Sequence, residues 1–325
     1  MQTNTAAASA AAIGKQDAGV ASAASRPLPG DLRTGDAPPW FSRGKLLAGL
    51  IGAGIARSLT PALQEEEARR QGLRLHYQLI DLERSGAGVG ALAPLLDAAR
   101  MMGFAGLNIT YPCKQAVVPL LDDLSDEARA IGAVNTVVIR DGKLLGGNTD
   151  CSGWRWGFER ALPRADLSVV VLLGAGGAGS AVAHALMQMS AGRLLIHDKA
   201  PHRARALAES LARRHGDRRA ACADDLAGAM AQATGLVHAS PTGMAALPGL
   251  PLPAKLLRPD IWVADVVYVP LETGLLKAAR ALGCATVDGG TMAVGQAMGA
   301  FECFTGLPAD AERMTSHFGR LLEVT

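Results

Sequence analysis

Lys114 and Asp150 are the two residues of this sequence best suited to moving a proton. An ammonium in a cleft beside a carboxylate can hold and exchange the proton of a substrate hydroxyl while hydride leaves the same carbon. Either one alone reads more often as an ordinary surface charge. Around them, three segments carry polar residues where a core pattern would place apolar ones: Ser58-Leu59-Thr60-Pro61, Asn108 to Gln115, and Asn135-Thr136 with Asn148-Thr149-Asp150. In extended backbone residues i and i+2 face the same way, so Ser58 and Thr60 present two hydroxyls together, as do Asn108 and Thr110. Such pairs suit a small polyhydroxylated acid. Pro61 fits the first turn of a helix, which would bring free amides and a helix dipole to a bound carboxylate. Thr60 also reads as a plain N-cap.

A second chemistry lies in Gly174-Ala175-Gly176-Gly177-Ala178-Gly179. GxGxxG by itself is a common turn, but here a branched-apolar run precedes it, a helical run follows, and Asp198 stands at the end of the next apolar run. A dinucleotide requires a tight turn, backbone close to its pyrophosphate, amides at a helix start and a carboxylate for ribose hydroxyls. Asp198 accepts from ribose and repels a 2′-phosphate, which favours NAD. Lys199, His202, Arg203 and Arg205 just beyond keep NADP open, or form a solvated helix face.

The rest of the composition limits the alternatives. The chain has 325 residues, which suits two domains. Its net charge of +2, with no dense basic run, argues against a nucleic-acid partner. Apolar residues at 49% and charged residues at 19% describe a folded chain. Cys113, Cys151, Cys222, Cys284 and Cys303 form no CxxC pair and no metal-ligand spacing, so reduced thiols, a cytoplasmic location and no metal are expected. Residues 167–192 lack Asp, Glu, Lys and Arg, yet four glycines break them into strand, turn and helix. No membrane span and no secretory segment are expected.

These residues need elements to position them. Residues 1–43 are low-complexity, Ala-rich and read as a disordered tail. Strands are expected at 46–52, 73–82 and 106–110, helices at 61–71, 91–102 and 116–121, and a hairpin at 134–146 around Asp141-Gly142. A helix at 153–162 leads to a βαβ series with strands at 169–173, 193–197, 235–238, 262–266 and 285–287. Two helices within 291–323 fold back on the first unit. The fold class is α/β: a substrate-binding domain over 44–152, a Rossmann-type domain over 153–289, and C-terminal helices over 290–325.

With these motifs in order from about Leu46 to about Leu307, the chain resembles the shikimate dehydrogenase family. The matching pieces are Gly49 to Gly52, Ser58 to Pro61, Asn108-Ile109-Thr110 with Pro112 and Lys114, Gly132 to Thr136, Asn148 to Asp150 with Gly153, and Gly174 to Gly179. They continue with Ala239-Ser240-Pro241-Thr242-Gly243-Met244, Asp265 with Tyr268 and Pro270, and Asp288-Gly289 with Met292 and Gln296. It is most similar to the NAD-preferring quinate/shikimate enzymes, through Thr60 and Asp198. The resemblance implies Lys114 and Asp150 as the catalytic pair and Ser58 and Thr60 on the substrate carboxylate. Thr110, Asn135 and Gln296 would bind ring hydroxyls, with Tyr268 nearby. Gly174 to Gly179, Asp198, Ser240, Pro241, Thr242, Gly289 and Met292 would contact the cofactor. Cys151 and His238 depart from the pattern, where Gly and Asn are common. The implied activity is reversible NAD-dependent oxidation of the C3 hydroxyl of quinate or shikimate, by a monomer or homodimer. Its rivals are an NADP-dependent biosynthetic shikimate dehydrogenase and a non-catalytic quinate sensor, against which the intact Lys114, Asp150 and glycine loop argue.

Overall fold

The computed structural model describes residues 45–216 and 219–324, so the expected tail over 1–43 lies outside the described residues. Two six-stranded sheets organise the chain. The strands are β1 (Lys45–Gly52), β2 (Arg74–Asp81), β3 (Gly106–Ile109), β4 (Asp123–Leu124), β5 (Thr136–Arg140), β6 (Lys143–Gly147), β7 (Val169–Leu173), β8 (Arg193–His197), β9 (Ala220–Cys222), β10 (Gly235–His238), β11 (Trp262–Asp265) and β12 (Thr286–Val287).

The first sheet runs β2-β1-β3-β5-β6-β4 and is mixed: β1 pairs parallel with β2 and β3, while β5 is antiparallel to β3 and β6. Asp141 and Gly142, both at positive φ, close the β5–β6 hairpin as their Asp-Gly sequence demands. The second sheet runs β12-β11-β10-β7-β8-β9 with every pair parallel. Helices Gly177–Gln188, Pro201–His215 and Leu226–Gln232 connect its strands, and buried Val, Leu and Ala fill its faces, as a sheet covered on both sides requires. Strand order reverses between β7 and β10, which opens a crevice at their carboxyl ends.

The C-terminal helices Gly289–Thr305 and Ala311–Val324 return to the first sheet's side. The first crosses helix Thr149–Ala161 at glycines: a Cβ built on Gly295 would stand 2.5 Å from the Gly153 carbonyl oxygen. The second is held by Arg313, whose Nη2 and Nε donate to the buried Glu67 carboxylate at 2.6 and 2.7 Å.

Several elements differ from expectation. Residues 116–121 make only a short 3-10 turn at Val118–Leu120, because Pro119 supplies no N–H and disfavours helix at the residue before it. The helix expected at 153–162 begins at Thr149, since Asn148 caps it by accepting from the Asp150 and Cys151 amides. Asp150 therefore sits in a helical first turn, shortly after β6. Helix Asp126–Ile131, capped by Ser125, and the short edge strands β4 and β9 carry too few residues to show periodicity and were not foreseen.

Candidate active site

Lys114 follows β3 on a turn, and Asp150 is the second residue of helix Thr149–Ala161. Lys114 Nζ donates to Asp150 Oδ2 at 2.5 Å, with side-chain exposures of 16% and 4%. The other carboxylate oxygen, Oδ1, accepts from Asn135 Nδ2 at 2.9 Å. Asn135 is itself pinned: Nδ2 also donates to Thr149 Oγ1 at 2.9 Å, and Oδ1 accepts from the Thr149 amide at 2.7 Å and from Thr136 Oγ1 at 2.9 Å. Behind it, Asn108 Nδ2 donates to Thr136 Oγ1 at 3.1 Å, and Tyr77 Oη donates to Asn108 Oδ1 at 2.6 Å. A hydrogen-bonded ladder thus runs from the buried Tyr77 to Lys114. Buried polar groups joined in this way rigidify one another, and orphaning one member costs about 1–3 kcal/mol.

The hydroxyl pair expected at Ser58 and Thr60 is present: Ser58 Oγ donates to Thr60 Oγ1 at 3.1 Å. Thr60 is the first helical residue of Thr60–Arg70, the cap position falls to Leu59, and the N-cap reading of Thr60 is not what the structure shows. Burial pushes the Tyr268 hydroxyl above the usual phenol value, and the neighbouring Ser58 hydroxyl draws it partly back. Burial, with Tyr268 close by, also pushes Tyr77 well above that value, which keeps Tyr77 a donor to Asn108. Asn108 is buried in the ladder, and Thr110, two residues further on, is partly exposed. The Gln296 carbonyl accepts from Thr149 Oγ1 at 3.0 Å, and its side-chain amide donates to the Ala293 carbonyl at 3.1 Å. Cys151, beside Asp150, is buried, and burial together with Glu127 pushes its thiol well up, so it is no nucleophile.

The glycine loop lies at the carboxyl end of β7. Gly174 has φ 104°, a left-handed conformation closed to other residues without strain, and a Cβ there would stand 2.7 Å from the Ala239 carbonyl oxygen. Helix Gly177–Gln188 starts from Gly176 with no side-chain cap, so its first amides face the crevice. A Cβ on Gly176 would meet nothing within 4 Å. That cradle, open above uncapped amides, fits a pyrophosphate. The partly buried Asp198 carboxylate accepts from the Ala175 amide at 2.7 Å and the Ala200 amide at 2.8 Å, which places it beside the loop. Lys199, His202, Arg203 and Arg205 are exposed, and Arg205 pairs with Asp224 at 3.0 Å. Gly289 starts the helix that returns to the first sheet, with a built Cβ 2.6 Å from the Val267 carbonyl oxygen. Met292 is buried with Ala133 and Ala175 in one apolar cluster. Ser240, Pro241 and Thr242 follow β10 across the crevice from Gly174. The two groups of residues meet, since a Cβ on Gly177 would stand 3.0 Å from Lys114 Cβ.

Known proteins are similar to this chain in sequence and fold. The model of the shikimate dehydrogenase substrate binding domain matches residues 50–137. A shikimate dehydrogenase (NADP(+)) of Streptomyces avermitilis is 58% identical over 277 residues, covering 85% of this chain and 95% of the relative. The chain belongs to the shikimate dehydrogenase family. A quinate/shikimate dehydrogenase (NAD(+)) of Corynebacterium efficiens is 50% identical over 277 residues, 84% of this chain and 97% of its own. Quinate dehydrogenase from Corynebacterium glutamicum in complex with NAD superposes with a TM-score of 0.78 at 48% identity, over 85% of this chain and 99% of that one. Members of the shikimate dehydrogenase family named for NAD and for NADP are therefore both close to it. Tyr77 enters the site without having been foreseen, since it looked like any strand residue, while Thr136 and Thr149, singled out only as members of polar segments, take places in the ladder.

Proposed function

We propose that this protein catalyses the reversible, NAD-dependent oxidation of the C3 hydroxyl of quinate or shikimate to the 3-dehydro acid. The observation that carries this reading is the contact of Lys114, bonded to Asp150, with the glycine loop at Gly177. A proton-handling pair stands where the substrate unit touches the dinucleotide crevice. Lys114 would hold the reacting hydroxyl, and the Lys114–Asp150 pair would take up its proton. The ladder through Asn135 fixes the Asp150 carboxylate, so the pair is preorganised before substrate arrives. Ser58 and Thr60 would bind the substrate carboxylate, Tyr268 would lie near the ring, and Thr110, Asn135 and Gln296 would face its hydroxyls. The dinucleotide, when bound, accepts the hydride. The Gly174 to Gly179 amides would hold its pyrophosphate, with Ser240, Pro241, Thr242, Gly289 and Met292 toward the nicotinamide side. Asp198 would take the ribose hydroxyls, and its carboxylate would disfavour a 2′-phosphate.

The domain division at 44–152, 153–289 and 290–325, a cytoplasmic location and a monomeric or homodimeric state belong to the same reading. A second reading, reduction of 3-dehydroshikimate with NADPH, is favoured by the name of the 58% identical relative and by the exposed basic residues after Asp198.

A two-by-two measurement of kcat/KM, quinate and shikimate against NAD and NADP, separates the two. Turnover of quinate with NAD is the expected outcome. Activity confined to shikimate with NADP would establish the second reading in its place.

A further inference from the structure

The turn that joins β1 to helix Thr60–Arg70 carries Ser58, and it is held from outside its own sequence. Asp81, the last residue of the neighbouring strand β2, stands in register with Gly52 at the end of β1. Its Oδ1 accepts from the Gly54 amide at 3.0 Å and its Oδ2 from the Ile55 amide at 3.1 Å. Oδ1 also accepts from the Glu83 amide at 3.0 Å, which caps the short helix Leu82–Ser85. All three partners are backbone N–H groups, which only donate, so both Asp81 oxygens act as acceptors whatever protons lie elsewhere. Among the described residues, no other side chain accepts from an amide of 53–58.

That grip is passed along the turn to the hydroxyl pair. Gly54 bends the chain at φ 67°, and the buried Ile55 offers its carbonyl to the Ser58 amide at 2.9 Å. Ser58 Oγ then accepts from the Thr60 amide at 3.3 Å and donates to Thr60 Oγ1 at 3.1 Å. At the near end of the turn, the Ala53 amide donates to the Tyr111 carbonyl at 2.9 Å, in the segment that leads to Lys114. We propose that Asp81 is a positioning residue for substrate binding: by gripping the Gly54 and Ile55 amides it fixes where the Ser58 and Thr60 hydroxyls meet the substrate carboxylate. This rests on the reading of those two hydroxyls given above. The charge of Asp81 would by itself oppose an anion bound at that turn. Positioning and charge therefore predict opposite signs when the carboxylate is removed.

Steady-state kinetics of the full-length protein, with quinate or shikimate varied at saturating cofactor, test it. Asp81→Asn keeps the shape and the cap on Glu83 but turns an NH2 group toward the Ile55 amide, donor against donor. The KM for the acid should rise about tenfold, the size of one hydrogen bond, and kcat should fall by less than KM rises. Asp81→Ser, whose hydroxyl is too short to reach the turn, should raise KM in the same way. The Kd for NADH, read by reduced nicotinamide fluorescence without the acid, should stay within about twofold, because the glycine loop belongs to the other sheet. An unchanged or lowered KM in both variants overturns the inference, a lowered one being the effect of charge alone. Equal losses of NADH affinity and of KM also overturn it, since they assign Asp81 to the fold at large. Hydrogen exchange of the wild type should find the Ile55 amide protected, and an unprotected one overturns the inference even where both variants fail to fold. A wild type that binds NADH but turns over neither acid overturns the substrate reading as well.

Discussion

The two sheets build their halves of the site by opposite means. At the mixed first sheet the active groups are side chains, locked by a ladder of buried amides and hydroxyls from Tyr77 through Asn108, Thr136 and Asn135 to Asp150. At the parallel second sheet the binding groups are backbone amides, and what matters is the absence of side chains at Gly174, Gly176 and Gly177. A site made of side chains fails when one chemical group is deleted. A site made of backbone fails when a carbon is added.

The largest effect should come from the side-chain half. Lys114→Ala should lower kcat by about 10² to 10⁴, the usual scale for a general acid/base, in a protein that still folds but loses about 1–3 kcal/mol of stability as Asp150 Oδ2 is orphaned. A kcat close to wild type would remove Lys114 from proton transfer. Asn135→Ala should act on both stability and rate: it orphans Asp150 Oδ1 and the Thr149 amide, at about 1–3 kcal/mol of unfolding free energy. Denaturant unfolding that shows no loss would mean the ladder is slack.

Gly176→Ala tests the backbone half. Because a Cβ there meets nothing of the protein, folding stability should be unchanged while the Kd for NADH rises about tenfold, as a methyl group intrudes on the cradle. Parallel losses of stability and affinity would show that Gly176 serves the fold and not a ligand.

The smallest effect lies away from both halves, at His184 on the buried face of helix Gly177–Gln188. Burial first, then Arg214 and His215, lowers its pKa from 6.5 to about 4. The folded protein therefore binds fewer protons here than the unfolded chain between those values. Stability should be fully present above 6.5 and decline as pH falls toward about 4. His184→Phe should flatten this part of the pH dependence of the melting temperature. An identical slope in the variant would assign acid lability to other groups.

Much of the second sheet was legible in the sequence because its signals are local. Branched-apolar runs of five residues bounded by glycine read as buried parallel strands, and Gly174 to Gly179 followed by a helical run is a contiguous motif. Legibility was poorer in the first sheet, where alternation is short and partners are distant. The start of helix Thr149–Ala161 was placed too late because Asn148 has to be recognised as a cap, and the 116–121 helix was overcalled across Pro119. Lys114 and Asp150 stood out by type, yet their 2.5 Å contact spans residues far apart in the chain, and no spacing rule joins them.

Residue types and local patterns by themselves determined the α/β class, the glycine loop with its helix, the hairpin at Asp141-Gly142 and the inventory of polar groups. Each depends on interactions within a few residues or on composition. Only the tertiary structure decided which of those groups work together. It buried Asn108 in a ladder between Tyr77 and Thr136, and it crossed two helices at Gly153 and Gly295 so that Thr149 reaches the Gln296 carbonyl. It also stacked His238 between Asp265 and Ser240. The direction of a buried hydrogen bond depends on every donor and acceptor around it, and those neighbours come from strands distant in sequence.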